Sequence, residues 1–360
     1  MKRSRHSFRT KMAIVVTVLQ LPAVLWLCAR TRNVLPLAIA VALSFPYLRQ
    51  LHSPWSHDGR RLPMYVALAW WASCIVFALL FPFAWLAVLL GAPQQLAYVI
   101  AAALSLWSGL SAIGSRPRVR KKDVRIEGLP PELDGYRIGQ ISDVHCGPYT
   151  PASRVRRWVS QLNALDLDLM TVTGDLITSG SSHVRDVAQA LGALRARDGV
   201  FACMGNHDYF TDGERFVREL ERHGLAVLRN RGVVIDVDGA KLYVAGVDDT
   251  WTARNDVPRA LAARPAGVPA VLLAHDPNLF PEAVARNVEL TLSGHTHGGQ
   301  LAFPGVRRLS LARFVTEFTA GLYRRGRSWL YVNRGAGTTG PPARLGAPAE
   351  LAVLTLRAAT

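Results

Sequence analysis

Five short segments carry carboxylate, amide and imidazole side chains in an order suited to holding metal ions. They are Asp143-Val144-His145, Gly174-Asp175, Gly205-Asn206-His207-Asp208, His275 and Gly294-His295-Thr296-His297. Hard divalent cations take oxygen and imidazole ligands, and two of them held close together need a shared carboxylate. Taken singly, an Asp at such a place ordinarily caps a turn and a His ordinarily makes a structural hydrogen bond. Taken as an ordered set, the residues read as a two-metal site.

Something must position them, and the flanking residues say what. Each segment ends an apolar run: RIGQIS before Asp143, LDLMTV before Thr173-Gly174, VFACM before Gly205, AVLLA before His275 and VELTLS before Gly294. Short runs rich in Val, Ile and Leu read as buried strands. Polar residues at the carboxyl ends of such strands converge on the crevice where open α/β sheets bind ligands. Amphipathic helical stretches lie between them, at Pro151–Leu165, His183–Arg197 and Asp212–His223. Ala226–Arg229, Val233–Val237 and Lys241–Val247 read as a meander of strands with Asp238-Gly239 as a hairpin turn. Late strands are expected at Ser328–Val332 and Leu351–Leu356.

The blocks D-x-H, G-D, G-N-H-D, H and G-H-x-H, in that order, resemble the calcineurin-like metallophosphoesterase superfamily, from about Arg118 to the C-terminus. The stretches Ser293–Gln300 and Asn333–Pro342 look like its bacterial, membrane-anchored phosphodiesterase branch. The second block departs from the protein serine/threonine phosphatases, whose pattern is G-D-x-V-D-R-G. Here Gly174-Asp175-Leu176-Ile177-Thr178-Ser179-Gly180 lacks both the second Asp and the Arg, which argues against phosphoprotein substrates. The resemblance implies an αββα sandwich of two sheets with helices outside. It implies one metal on Asp143, His145, Asp175 and His297, and a second on Asp175, Asn206, His275 and His295, with an oxygen of Asp175 for each ion. The identity of the two divalent ions is left open among Mn, Fe and Zn. His207 is the family's candidate for proton donor to the leaving oxygen. Asp208 reads as a cap, Cys146 as a small buried filler, and Asp248 and Asp249 as strand-end residues without a motif. For Arg334 and the glycines from Gly335 to Gly340, a phosphate clamp and a plain sharp turn stand as alternatives. Core packing is expected for most of Trp251, Phe303, Phe314 and Phe318, with an apolar channel as the alternative.

The first third is a different kind of polypeptide. Apolar stretches run over about Met12–Ala29, Val34–Leu48, Pro63–Leu90 and Pro93–Ile113. About 20 apolar residues cross the hydrocarbon core as a helix. The second stretch is short and bracketed by Pro36 and Pro46. Trp55, Trp70, Trp71, Trp85 and Trp107 are candidates for an interfacial belt. The expected organisation is a transmembrane region of about four helices over 1–114, a basic juxtamembrane linker over 115–135, and a metallophosphoesterase domain over 136–360.

Basic residues set the expected orientation. Lys2, Arg3, Arg5, Arg9, Lys11, Arg49, Arg60, Arg61 and the run Arg116 to Arg125 fall on one side of four spans, with Arg30 and Arg32 on the other. Short basic loops stay cytoplasmic, which places the domain on the cytoplasmic face of a multi-pass cell-membrane protein. The same residues account for most of the net charge of +16, so no nucleic-acid-binding face is expected. The basic run also attracts anionic headgroups, making the lipid bilayer a partner. Cys28, Cys74, Cys146 and Cys203 have no paired spacing and imply reduced thiols.

The function expected is a membrane-anchored, metal-dependent phosphoric ester hydrolase, a phosphodiesterase, acting on a phosphoester suggested by location to be lipid-linked. A membrane-tethered enzyme for soluble nucleotides is the alternative. A scaffold with this fold but without catalysis ranks last, because the ligand set is whole.

Overall fold

The computed structural model describes residues 17–18, 20–52, 61–112, 116–147, 149–210, 212–300, 302, 310–339, 344 and 346–359. The basic cluster Lys2–Lys11, Trp55, Arg60, Phe303 and Gly340–Pro342 lie outside them. Residues 1–115 form one unit, and Arg116 onward, apart from residues 341–343, forms the other.

In the first unit residues 20–31 are helical, followed by α1 (Leu35–His52), α2 (Arg61–Leu89) and α3 (Gln94–Ala112). Within α2, Ala69–Leu89 is long and apolar enough to cross a membrane. Large apolar side chains of this unit lie both inside, as Phe77 and Tyr98 do, and on its exterior. Leu25, Leu79, Phe83, Leu89, Val99, Trp107 and Leu110 are exposed, whereas polar groups pair between helices. Gln20 Oε1 accepts from the Trp70 indole N–H at 3.0 Å, and the Gln20 amide donates to Ser44 Oγ at 3.1 Å. Small residues let helix backbones approach: a side chain at Gly109 would run into Ser73 and the Ala69 carbonyl.

The second unit is built on two six-stranded sheets, in the orders β1-β12-β2-β3-β4-β5 and β10-β11-β9-β8-β7-β6. In the first, β2 (Arg137–Ile141), β3 (Leu169–Thr173) and β4 (Val200–Cys203) are mutually parallel. In the second, β7 (Ala240–Gly246), β8 (Ala270–Leu273), β9 (Leu290–Ser293) and β11 (Ser328–Val332) are parallel. Parallel pairing puts the carboxyl ends of all these strands along one edge of each sheet, as expected from the runs before each motif. Ile138, Leu169, Phe201, Val244, Leu273, Leu292 and Tyr331 pack between the sheets. Outside the first sheet lie the apolar faces of α4 (Ala152–Asn163), α5 (Val184–Leu191) and α6 (Gly213–Arg222). Outside the second, Tyr243, Leu272 and Val288 pack with Val257 and Ala260 of α7 (Val257–Leu261). The result is the expected αββα arrangement. Gln140, wholly buried, ties the layers by donating to Thr173 Oγ1 at 2.9 Å and to the Ser293 carbonyl at 3.0 Å.

Two expectations are corrected. The stretch 115–135 is not a linker: Arg118–Ile126 forms β1, paired in parallel with β12 (Glu350–Ala358). Val124 and Ile126 are buried while Arg118, Arg120, Lys121 and Lys122 face outward. Such charges on an edge strand block pairing with another chain, so part of the basic run serves the sheet. The strands from Ala226 to Val247 are also not one meander. β5 (Ala226–Val227) joins β4 in the first sheet, while β6 (Arg231–Val237) and β7 form a hairpin in the second. The hairpin turns at Asp238 and Gly239, both at positive φ (53° and 93°), the conformation expected of a two-residue Asp-Gly turn. A further hairpin strand, β10 (Gly321–Arg325), carries no alternation that marks it in the sequence.

Candidate metal centre

The loops following β2, β3, β4, β8 and β9 bring Asp143, His145, Asp175, Asn206, His275, His295 and His297 together. Five of these seven adopt left-handed backbone: Asp143 (φ 50°), His145 (46°), Asp175 (54°), His295 (70°) and His297 (53°). For residues other than glycine this costs roughly 1 kcal/mol or more apiece and concentrates at functional sites. The chain turns sharply at each strand end so that alternate side chains point into one cavity. Glycines make room. A Cβ at Gly294 would collide with Ser142 Oγ and the Asp143 carboxylate, and one at Gly174 would lie 2.8 Å from His275 Nδ1.

Ligand atoms of Asp143, His145 and His297 form one group, those of Asp175, His275 and His295 another, and those of His145, Asp175 and His207 a third that overlaps both, each within 4.8 Å. In the first, His145 Nε2 lies 3.0 Å from His297 Nε2, which is 3.3 Å from Asp143 Oδ1. In the second, His275 Nε2 lies 3.3 Å from His295 Nδ1 and 3.2 Å from Asp175 Oδ2. The same Oδ2 is 3.6 Å from His145 Nε2, so it faces both groups. Asp175 Oδ1 instead accepts from the His207 amide at 2.9 Å.

Neighbouring groups orient the ligands. His275 Nδ1 donates to the Thr173 carbonyl at 2.7 Å, which leaves Nε2 facing Asp175. Asp143 accepts from Ser142 Oγ at 2.6 Å and from the His295 amide at 3.0 Å. Asp208 binds no ion-forming group. Wholly buried, it accepts from the amides of Asp175 (3.0 Å), Leu176 (2.8 Å) and Gly205 (2.9 Å), and so holds two of the ligand loops to each other.

Electrostatics separate the residues further. Burial lowers His145 to about 3 and His295 to about 4, with the neighbouring imidazoles of His207 and His275 respectively adding to the shift. Burial also holds His297 well below the usual range, helped by His145 and Arg344. Burial opposes charge on His275 as well, but the Asp175 and Asp143 carboxylates outweigh it and raise His275 to about 10. Asp175 is the converse: burial raises it, and His275 and His207 pull it well below the usual carboxylate range. Burial pushes Asp143 up to about 6. These shifts favour a charged pair of His275 and Asp175 and the neutral form of His145, His295 and His297.

Two observations fit divalent ions to these residues. Imidazole nitrogens of His145 and His297 converge to 3.0 Å, and those of His275 and His295 to 3.3 Å, as donors aimed at a common point do. Asn206 Oδ1 is buried with no hydrogen-bond partner, which is costly for a carbonyl oxygen unless something else takes it up. The donor set of carboxylate, amide oxygen and imidazole suits Mn, Fe or Zn.

His207 sits beside the first group, its ring edge-on to His145 with centroids 4.7 Å apart. Its Nδ1–H donates to the Thr178 carbonyl at 2.8 Å. Arg334 does not stand open to a phosphate: its guanidinium is ion-paired with Glu350, which is buried and also accepts from Tyr331. A buried carboxylate needs that partner. Asp248 and Asp249 are structural, the first accepting from Tyr209 and Arg229 and the second from the Thr252 amide. Cys146 and Phe318 are buried, as expected of core residues, and Trp251 is exposed.

Arg344 went unnoticed in the sequence. It is buried, and its N–H groups donate to the carbonyls of Gly335, Gly337, Ala347 and His297, with Nη2 3.2 Å from His297 Nδ1. It staples the late loop to a candidate ligand. A lone arginine in a Gly- and Pro-rich stretch was the available signal.

A model of the family described as calcineurin-like phosphoesterase matches residues 136–299. A transmembrane protein with metallophosphoesterase domain from Danio rerio is 34% identical over 278 residues, covering 73% of this chain and 62% of its own length. The chain thus spans less than two thirds of that relative. The uncharacterized metallophosphoesterase YkuE of Bacillus subtilis (strain 168) is 32% identical over 233 residues, 64% of this chain and 82% of its own. Among solved structures, a dimetal phosphatase from Danio rerio aligns with TM-score 0.34 at 12% identity, covering 58% of this chain and 90% of its own.

Proposed function

The chain belongs to the calcineurin-like phosphoesterase family, and from that premise we propose that it is a membrane-anchored, dinuclear-metal phosphoric ester hydrolase, a phosphodiesterase. The observation that carries this reading is the position of Asp175 Oδ2 between two imidazole groups, 3.2 Å from His275 and 3.6 Å from His145. In this reading Asp143, His145, Asp175 and His297 hold one ion and Asp175, Asn206, His275 and His295 the other. Bound there, two divalent ions supply Lewis acidity toward the phosphoryl group and a water of lowered pKa.

The chain's own residues do the rest. Asn206 contributes an uncharged oxygen, which limits the negative charge that an anionic phosphate meets. Thr178 fixes the His207 ring through Nδ1, so that in the imidazolium form Nε2–H is the proton delivered to the leaving oxygen. Asp208 keeps the loops of Asp175 and Asn206 in register.

The membrane part of the proposal extends the apolar unit to four spanning helices, with the domain on the cytoplasmic face of the cell membrane. It is supported by the apolar exterior of that unit and the bias of basic residues. A reporter fused after Thr360 should behave as cytoplasmic, and activity confined to the opposite face would overturn the orientation. The substrate is placed among phosphodiesters. Detergent-purified full chain loaded with Mn²⁺ should bind two ions and hydrolyse diesters faster than monoesters. Full metal content with no hydrolysis of any phosphoester would sink the enzymatic reading and leave a scaffold.

A further inference from the structure

Trp251 is the one aromatic among the exposed large apolar residues described in its unit. It is 65% exposed, and its ring stands edge-on to His295 at a centroid distance of 5.8 Å and an angle of 69°. The loop that carries it is tied down at several points. Asp249 accepts from the Thr252 amide at 2.8 Å, and the Arg254 amide donates to the Asp249 carbonyl at 3.0 Å. Thr250 Oγ1 donates to Asp276 Oδ2 at 2.8 Å, on the residue after His275. Arg254 lies over the Tyr209 ring, 5.0 Å from its centroid, two residues beyond His207. An indole held in water by a fixed loop, beside a candidate metal ligand, is a preorganised contact surface.

The surroundings decide what it contacts. Among the described residues of this unit, the exposed large apolar side chains are Val234, Trp251 and Val315. Those bonded into the Trp251 loop are Thr250, Thr252, Arg254 and Asp276, all polar. An alkyl chain gains by lying along a continuous apolar trough. A single exposed indole, on a loop held by polar side-chain contacts, matches a flat ring with polar edges.

We propose that Trp251 is a specificity-determining residue, stacking on a flat aromatic ring carried by the phosphodiester at the His275–His295 side of the centre. This rests on the phosphodiesterase reading above. The shared chemistry, an aromatic face, is available in a simple aryl ester or in a nucleobase.

The test compares Mn²⁺-loaded full-chain protein with its Trp251→Ala, Trp251→Leu and Trp251→Phe variants on four diesters: methyl phenyl, methyl cyclohexyl, methyl decyl and thymidine 5′-methyl phosphate. Trp251→Ala should lower kcat/KM about tenfold on a ring-bearing diester, chiefly through KM, the size of one base–aromatic stack. It should change the cyclohexyl ester less than twofold. Trp251→Phe should restore most of the loss and Trp251→Leu little. Loss on phenyl and thymidine esters alike identifies any aromatic ring, and loss on the thymidine ester alone identifies a nucleobase. Equal loss on phenyl and cyclohexyl esters, or the largest loss on the decyl ester, overturns the proposal. If the intact protein hydrolyses none of the four, the enzymatic reading fails separately, and stacking is read by binding. Phenyl phosphate and thymidine 5′-monophosphate should then quench tryptophan fluorescence in the intact protein and not in Trp251→Phe. Equal quenching in both proteins overturns the stacking.

Discussion

The two sheets contribute unlike halves to one site. The first, through the loops after β2, β3 and β4, supplies Asp143, Asp175, Asn206 and one imidazole, His145. The second, through the loops after β8 and β9, supplies only imidazoles, His275, His295 and His297. The halves are also held differently. Backbone amides hold the oxygen half: the His207 amide on Asp175, the His295 amide on Asp143, and three loop amides on Asp208. The nitrogen half is held otherwise, the Thr173 carbonyl accepting from His275 and the Arg344 guanidinium donating to the His297 carbonyl. Hard anionic oxygens are stabilised by N–H groups, and burial favours the neutral form of His145, His295 and His297. One charged contact joins the halves, Asp175 to His275 at 3.2 Å. In the proposed metal-bound form an ion would take the place of the proton on His275 Nε2.

The largest test of this division removes the shared oxygen. Asp175→Ala should lose both ions and lower turnover by about 10³-fold or more. Two metals per chain by elemental analysis, with normal hydrolysis, would remove Asp175 from the bridge. Next come single-half variants: His145→Ala should lose the first ion and keep the second, and His295→Ala the reverse, with Mn²⁺ stoichiometry near one in each. Loss of both ions from either variant would mean the halves do not bind independently. His207→Ala should keep both ions and lose about 10²-fold in kcat or more, and a loss of metal there would make His207 a ligand.

Arg344 sharpens the comparison from the nitrogen side. Arg344→Met leaves buried carbonyls without donors and should cost about 3 kcal/mol of stability, read as a lower Tm of the metal-free protein, with the first ion bound more weakly than the second. An unchanged Tm would dismiss the staple.

The smallest effect is with pH. His145 and His295 sit at about 3 and about 4 in the folded metal-free protein, against about 6.5 unfolded. Below about pH 6.5 the unfolded chain takes up protons that the folded chain refuses. Stability should therefore be full above that pH and fall by about 1 kcal/mol per group from pH 6.5 to 5.5. His275 runs the other way: its contribution is whole below about pH 6.5 and fades as pH rises toward about 10. Thermal melts of chelator-treated protein between pH 5.5 and 9 check both arms, and a flat profile would deny that burial keeps these imidazoles neutral.

Much of this was legible in the residues. Each apolar run before a motif becomes a strand, because Val, Ile and Leu in short runs have no other way to be buried and hydrogen-bonded at once. The hairpin at Asp238-Gly239 was legible for the same kind of local reason, a backbone conformation that few residues accept. What was not legible is non-local. Arg118–Ile126 reads as a charged tether until Glu350–Ala358, more than 200 residues away, pairs with it. β5 reads with β6 and β7 until the sheets assign it elsewhere.

Residue types and spacing marked the strand ends and a set of candidate metal-ligating side chains, because these depend on local burial and on donor chemistry, and the resemblance those motifs carry implied the fold class. Tertiary structure alone decided which atoms meet. It placed Asp175 Oδ2 between His145 and His275 and set Oδ1 on the His207 amide. It turned Arg334 toward Glu350, since a buried carboxylate requires a cation, and it set Arg344 on His297. It also left Trp251 in the open beside His295, where the order of residues has nothing to say. Spacing carries which side chains are near in the chain, but distance and partner are fixed only when two sheets close on each other.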